Sequence, residues 1–63
     1  MTVRMQYIPG DTFWIKVPGI CEMRFRDWAA LLVMMTDAYL YEDLYRSALY
    51  HPWTWCEEEV HIP

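Results

Sequence analysis

FRDWAALLVMMTDAYLYEDLYRSALY, residues 25–50, is the stretch that decides the fold of this chain. It contains no Gly or Pro and is rich in residues with high helix propensity. It ends at His51-Pro52, where the proline forbids a further helical turn. No other run in the sequence is long enough, and apolar at helical spacing, to supply half of a hydrophobic core. The stretch therefore predicts a helical layer.

Within this stretch the apolar residues change phase. At about 100° per residue, a first set shares one side of a helix and a second set falls on roughly the opposite side. The first set is Trp28, Leu31, Leu32, Met35, Ala38 and Tyr39, and the second is Leu40, Tyr41, Leu44, Tyr45 and Ala48. One straight helix cannot present both sets to a single sheet. The pattern favours two helices, at about 26–36 and 38–50, which separate near Thr36-Asp37. The alternative is one long kinked helix whose second stripe contacts a second chain.

The residues before this stretch alternate with a period of two, which is typical of strands with one buried face. The alternating runs are Thr2 to Ile8, Thr12 to Val17 and Ile20 to Phe25. Their apolar positions are Val3, Met5, Tyr7, Phe13, Ile15, Val17, Cys21, Met23 and Phe25. Turn signals at Pro9-Gly10-Asp11 and Pro18-Gly19 separate the runs. We predict three antiparallel strands, whose polar face carries Arg4, Lys16 and Arg24.

The end of the chain, WTWCEEEVHIP at residues 53–63, is ambiguous. Trp53-Thr54-Trp55 has strand character, and Val60 to Ile62 is a candidate edge strand. The three glutamates between them are poor strand formers, so we expect them to be exposed. The predicted fold class is α+β, as a single domain over residues 1–63. A small antiparallel sheet of three strands, or four, packs against one long kinked helix or two helices.

The composition is unusual in its aromatic residues, with four Trp, five Tyr and two Phe among 63 residues. Because a domain of this size buries only about 60% of the surface that its unfolded chain exposes, some rings stay on the surface. Exposed rings favour a partner interface or a homodimer. The N-terminal residues have no signal-peptide pattern, and the longest apolar run, Trp28 to Met35, is too short to span a membrane. We therefore expect a cytoplasmic protein in which Cys21 and Cys56 are reduced thiols, although one bridge stays an alternative.

No pattern in the sequence indicates catalysis or a cofactor. The ligand types Cys21, His51, Cys56 and His61 lack the spacings of a zinc site. Asp43, Ser47 and His51 recur every four residues, but the amides beside a mid-helix serine are already hydrogen-bonded and cannot stabilise an oxyanion. Both glycines lie in Pro-Gly turns, so there is no phosphate-binding loop. We predict that the chain is not an enzyme and has no catalytic, metal-binding or cofactor-binding residue.

The charge is distributed unevenly within the net value of −4. Residues 1–26 carry four basic and two acidic residues, which gives +2, whereas residues 27–63 carry Arg46 against seven acidic residues, which gives −6. A nucleic-acid-binding protein normally shows the opposite excess. For the same reason, Trp14, Trp53 and Trp55 are expected to serve packing rather than base stacking, since the C-terminal half places no Arg or Lys beside them.

An acidic surface indicates a basic partner, with solubility as the alternative explanation. The predicted partner-binding residues are Asp37, Glu42, Asp43, Glu57, Glu58 and Glu59, interleaved with Tyr41, Tyr45, Trp53 and Trp55. Duplex DNA presents about one negative charge per 1.7 Å of axis. A compact array of carboxylates can therefore occupy an Arg- and Lys-lined channel that normally holds phosphates.

This short, acidic, aromatic-rich chain without a catalytic motif resembles the small anti-CRISPR proteins encoded by bacteriophages, in particular the acidic inhibitors of type I surveillance complexes. The resemblance lies in whole-chain character and in the acidic positions Glu42, Asp43 and Glu57 to Glu59. It implies action inside a bacterial host cell, by binding to the Cascade complex or its recruited nuclease where target DNA should lie. Arg4, Lys16 and Arg24 depart from a uniformly acidic mimic and confine any mimicry to one face.

The sequence thus leads to one functional hypothesis and one alternative. The hypothesis is a stoichiometric inhibitor, a monomer or weak homodimer, whose acidic face occupies the basic, nucleic-acid-binding site of a protein or nucleoprotein complex. It contacts neither nucleic acid nor a membrane directly. The alternative is a structural or oligomerisation module that uses the second helical stripe in a homodimer.

Overall fold

The computed structural model describes residues 1–10 and 12–61 and contains a four-stranded antiparallel sheet with two helices against one face. The strands are β1 (Thr2–Ile8), β2 (Thr12–Val17), β3 (Cys21–Phe25) and β4 (Cys56–Glu59), in the order β3-β2-β1-β4. The helices are α1 (Trp28–Met34) and α2 (Glu42–Tyr50), and a 3₁₀ turn (Ala38–Tyr41) leads directly into α2. The predicted α+β class is confirmed, and so is the version with two helices.

The first three strands follow the alternation of the sequence. The apolar positions of β1, β2 and β3 face the helices, and the pairs Met5–Ile15 and Ile15–Met23 fix the register across all three. At the second turn the Ile20 amide donates to the Val17 carbonyl at 3.0 Å, and Gly19 has a φ of +74°. Proline followed by a glycine with positive φ is typical of a type II turn. Of the first predicted turn, Asp11 lies outside the described residues.

Helix α1 begins at a side-chain cap and ends before the predicted boundary. The Asp27 carboxylate accepts a hydrogen bond from the Ala30 amide at 2.8 Å, which satisfies one of the free donors of the first turn. Met35 is already extended, with φ −133° and ψ 126°, although its amide still bonds to the Leu31 carbonyl. Asp37, at the predicted break, precedes the 3₁₀ turn and makes no capping bond. The two helices are therefore shorter than predicted, while the break between them is where the change of phase requires it.

We expect Asp27→Ala to lower the free energy of unfolding by about 1 kcal/mol, because an alanine leaves the Ala30 amide without its acceptor. Urea titration followed by far-ultraviolet circular dichroism measures the loss. Asp27→Asn is the control, since it keeps the acceptor and removes only the exposed ion pair with Arg26 at 3.6 Å. A loss of equal size in both variants would show that the charge, rather than the cap, matters.

The core lies between the sheet and the helices, and it takes members of both helical stripes, the larger share from the second. Tyr41, Leu44 and Ala48 are fully buried. Of the first stripe, Leu32 and Tyr39 are exposed, while its buried members are Leu31 and Ala38. Helix α2 packs on β1 and β4, whereas α1 packs on β3. The second stripe is thus part of the core of one chain, and the idea that it contacts a second chain is wrong.

The last strand differs from its prediction. The glutamates themselves form β4, which pairs antiparallel with β1 through Arg4–Glu57, Val3–Glu58 and Thr2–Glu59. Val60 lies beyond this strand, and Ile62 is outside the described residues. Weak strand propensity is overcome because β1 supplies opposite charge: Arg4 Nε lies 3.0 Å from the Glu57 carboxylate.

The segment before β4 is a turn instead of a strand. Trp53 adopts a φ of +71°, which is uncommon for a residue other than glycine. Two hydrogen bonds of 2.8 Å hold it there, from its amide to the Tyr7 carbonyl and from the Gln6 side-chain amide to its own carbonyl. This anchoring aligns the chain for its return along β1.

Candidate protein-binding surfaces

The six carboxylates predicted to bind a partner divide among three places. Asp37, Glu42 and Asp43 lie at the 3₁₀ turn and the first turn of α2. The other three alternate along β4, since successive side chains of a strand point to opposite faces. Glu57 and Glu59 are exposed on the sheet face away from the helices, whereas Glu58 pairs with Val3 on the helix side. The structure does not bring the glutamate run into one patch with the first three residues.

The carboxylates on the outer sheet face are paired with cations. Glu57 binds Arg4, and Glu22 lies 4.0 Å from Lys16. Glu59 lies 3.3 Å from the N-terminal ammonium and accepts a hydrogen bond from the Thr2 hydroxyl. The Thr2 hydrogen bond and then the ammonium lower the pKa of Glu59 below its ordinary value. The carboxylates on this face are therefore already paired, and a basic partner protein would have to displace their present cations.

Two tryptophans on the same face do have basic neighbours, contrary to the prediction from the sequence. The Arg24 guanidinium lies over the Trp14 ring at 5.5 Å, and the Lys16 ammonium lies over the Trp55 ring at 4.6 Å. The sheet brings Lys16, from an early strand, beside a residue 39 positions later, which no local pattern shows. With Arg4, Lys16 and Arg24 against Glu22, Glu57 and Glu59, the strands leave this face with no net charge.

The helix layer, in contrast, keeps an acidic excess. We call Asp37, Tyr39, Glu42 and Asp43 the acidic junction; they lie within seven consecutive residues, which span about 10 Å of helical backbone. Glu42 pairs with Arg46 at 2.6 Å. Within residues 1–10 and 12–61, no cationic group lies within 4.0 Å of the Asp37 or Asp43 carboxylates. Tyr39 stands among these acids with 63% of its surface exposed.

The other aromatic residues predicted to lie among the acids have different positions. Tyr41 is fully buried in the core, and Tyr45 is half-buried against Phe13 and Trp28. Trp53 and Trp55 are exposed, but Trp55 belongs to the outer sheet face. Tyr39, which the sequence assigns to the core-facing stripe, is the aromatic residue of the acidic junction.

Tyr41 couples the acidic junction to the core. Its hydroxyl donates to the Asp37 carboxylate at 3.3 Å while its ring is buried. Burial first, and then the charge and hydrogen bond of Asp37, raise the pKa of Tyr41 to about 12 from an ordinary value of 10.0. The folded protein therefore favours the protonated, neutral form of the Tyr41 side chain.

We expect stability to fall between about pH 10 and pH 12 because of Tyr41. The folded state retains the Tyr41 proton in this interval, whereas the unfolded chain releases it, so raising the pH favours unfolding. Two pH units correspond to about 2–3 kcal/mol. Urea titrations at several alkaline pH values measure the slope, and Tyr41→Phe should flatten it. An unchanged slope in that variant would assign the effect to other tyrosines or thiols.

Helix α1 carries an exposed apolar surface that includes Leu32, which the sequence-based interpretation placed in the core-facing stripe. Leu32, Val33 and Met34 are all exposed, Val33 by 88%, and the helix contains no charged residue. A helix of two turns can bury only one stripe against the sheet, and here Leu31 takes that position. The sequence carried a signal for this surface: residues 28–35 include no charged residue, whereas a helix with one face in solvent normally has charged residues on that face. We call Leu32, Val33 and Met34 the α1 surface.

The two cysteines show no feature of a reactive site. Cys21 lies on β3 and Cys56 on β4, at opposite edges of the sheet, and both are free. Three strand spacings of about 4.8 Å separate them, too far for a disulfide. Burial raises the pKa of both thiols, so the thiolate fraction at neutral pH is low.

Residues 1–10 and 12–61 contain neither a metal-binding cluster nor a membrane-spanning helix. No three His, Cys, Asp or Glu side chains there are arranged to hold a metal ion. Neither helix has the length and apolar character needed to cross a membrane. Comparisons with protein-family models, with curated proteins and with solved structures find no match for this chain.

Proposed function

We propose that this chain is a stoichiometric protein-binding inhibitor whose acidic junction occupies the basic, nucleic-acid-binding site of a protein partner, such as a CRISPR surveillance complex. The observation that carries the proposal is the charge of the helix layer. Residues 26–55, between β3 and β4, carry four carboxylates and two arginines, a net charge of −2, whereas the outer sheet face has no net negative charge.

The arrangement of the junction suits such a role. Asp43 and Asp37 have no cationic neighbour among the described residues, so a basic partner gains their charge without first breaking an ion pair. Tyr39 adds a rigid, exposed ring, a residue type enriched where protein surfaces bind each other. Glu42 and Asp43 also lie in the first turn of α2, where carboxylates favour the helix dipole. Helix α2 therefore fixes the backbone positions of Glu42 and Asp43 before any partner arrives.

Glu57, Glu58 and Glu59 are less suited to the same contact. Glu57 and Glu59 must separate from Arg4 and from the N-terminal ammonium, whereas in the acidic junction one carboxylate, Glu42, has an ion-pair partner. Glu58 faces the helix side of the sheet. We assign the primary contact to the junction and treat the β4 glutamates as a test set.

The experiment is competition for DNA. The protein is titrated into purified type I surveillance complexes with bound target DNA, and DNA retention is followed at two salt concentrations. We expect release that weakens as salt rises, because contacts between charges at an exposed surface are screened. DNA retention that does not change in any complex would contradict the proposal.

Two variants with equal charge change locate the contact. The first carries Asp37→Asn, Glu42→Gln and Asp43→Asn, and the second carries Glu57→Gln, Glu58→Gln and Glu59→Gln. Asparagine at 37 can still accept the Tyr41 hydroxyl bond, and circular dichroism checks that both variants fold. The junction variant should lose competition while the β4 variant keeps it. The reverse result would move the contact to β4 and overturn the assignment to the junction.

A further inference from the structure

The four-stranded sheet has two edges of different character. Strand β4 forms one edge, and its Glu57, Glu58 and Glu59 would face like charges if two copies paired there. Inward or edge-placed charge of one sign is a known protection against pairing between sheets. Strand β3 forms the other edge, and it carries both signs, at Glu22 and Arg24. Among the described residues, β3 contacts β2 and α1, so its outer backbone groups have no neighbouring strand.

The β3 edge is complementary to itself in one antiparallel register. With Met23 opposite Met23 of a second copy, Glu22 lies opposite the second copy's Arg24, and the symmetry repeats the pair. On the helix side the same register sets Cys21 against Phe25, apolar against apolar. A slip of two residues either way sets Glu22 against Glu22 or Arg24 against Arg24. A slip of one residue sends the side chains to the wrong faces. Charge and pleat together select a single register.

The α1 surface supports the same contact. Helix α1 packs on β3, at the side of the sheet that this pairing joins, whereas α2 packs on β1 and β4. Pairing at β3 therefore brings two α1 helices next to each other on one continuous sheet. Because α1 has no charged residue, no like charges oppose each other across the symmetry axis. Leu32 and Met34 flank the buried Leu31 on either side of α1, so the exposed flank that faces the second copy gains an apolar neighbour that a single chain does not provide.

We propose that this chain forms a symmetric homodimer in which the β3 edges pair antiparallel about Met23, giving an eight-stranded sheet with the α1 helices side by side. The interface is isologous, so each contact occurs twice. The acidic junction takes no part in this pairing. The dimer can therefore be tested independently of the proposed inhibitor role.

A charge exchange at two positions tests the register. Sedimentation equilibrium measures the dissociation constant of the wild-type dimer, of Glu22→Arg, and of Arg24→Glu. Each single variant sets like charges opposite each other twice. We expect the dissociation constant to rise at least about tenfold for either one. An equimolar mixture of the two single variants restores both opposite-charge pairs, so it should dimerise as the wild type does. The double variant with both substitutions in one chain should dimerise equally well.

The mixture also separates the interface from folding. Glu22 approaches Lys16 and Arg24 lies over Trp14 within one chain, so a single substitution can change monomer stability. Such a change persists in the mixture, whereas a loss of dimerisation at β3 is reversed there. A wild-type chain that stays monomeric at all concentrations would overturn the proposal. So would a dimer that the single variants leave unchanged, or variants that the mixture does not rescue.

Discussion

Tyr41→Ala is expected to lower the free energy of unfolding by about 3–5 kcal/mol, the range for removing a buried aromatic side chain. Tyr41 is the largest fully buried side chain among the described residues and lies where the 3₁₀ turn enters α2. A chain of 63 residues has about 3–9 kcal/mol of stability in total. The substitution should therefore remove between about a third and all of this stability, as measured by circular dichroism and urea titration.

Tyr41→Phe separates the ring from the hydroxyl. It keeps the packing and loses only the hydrogen bond to Asp37, so the expected cost is about 1 kcal/mol. If the two substitutions cost the same, the contribution of Tyr41 would lie in its bond to Asp37 instead of in the core.

Phe13→Ala should have the second large effect, also about 3–5 kcal/mol. Phe13 is the centre of an aromatic cluster that joins the sheet to α2. Its ring centroid lies 4.5 Å from that of Tyr7, 4.8 Å from Tyr45 and 5.0 Å from Phe25. The substitution removes all three ring contacts and opens a cavity between the layers. Thermal unfolding together with loss of the near-ultraviolet circular dichroism signal measures the effect.

Phe13→Leu is the matched control because it keeps a large apolar side chain without the ring. Each aromatic pair contributes about 0.5–1.5 kcal/mol beyond its buried area. We expect the leucine variant to lose about 1–3 kcal/mol, which is less than the alanine variant. A leucine variant as stable as the wild type would show that stacking adds nothing beyond apolar burial.

Local patterns were sufficient for the first half of the chain. Alternation in β1, β2 and β3 fixes which face is buried, and turns with Pro and Gly fix the hairpins, as Gly19 with its positive φ shows. The phase change between Leu31 and Leu44 likewise requires a break in the helix, and the break occurs. These features depend on residues that are close together in sequence.

The rest depended on contacts between distant residues. Strand β4 forms from glutamates because Arg4 and the N-terminal ammonium lie across from them. The split of the acidic residues follows from that same strand, since Glu58 must point away from Glu57 and Glu59. The α1 surface is exposed because Leu44 and Ala48 of α2, together with Leu31, fill the core beneath the helices. Neither propensity nor helical periodicity contains this information.

The placement of β1 between β2 and β4 has a consequence for biosynthesis. β1 is made before both of its neighbours, and one of them lies more than fifty residues later in the chain. While the ribosome is still adding those residues, the nascent β1 has one side without a hydrogen-bonding partner. Helix α2 then lacks β4, one of the two strands on which it packs. Pairing of such distant segments is a slow step in folding. The sheet can close only after residues 56–59 have left the exit tunnel, so β1 waits for its second neighbour until β2, β3 and both helices have been made.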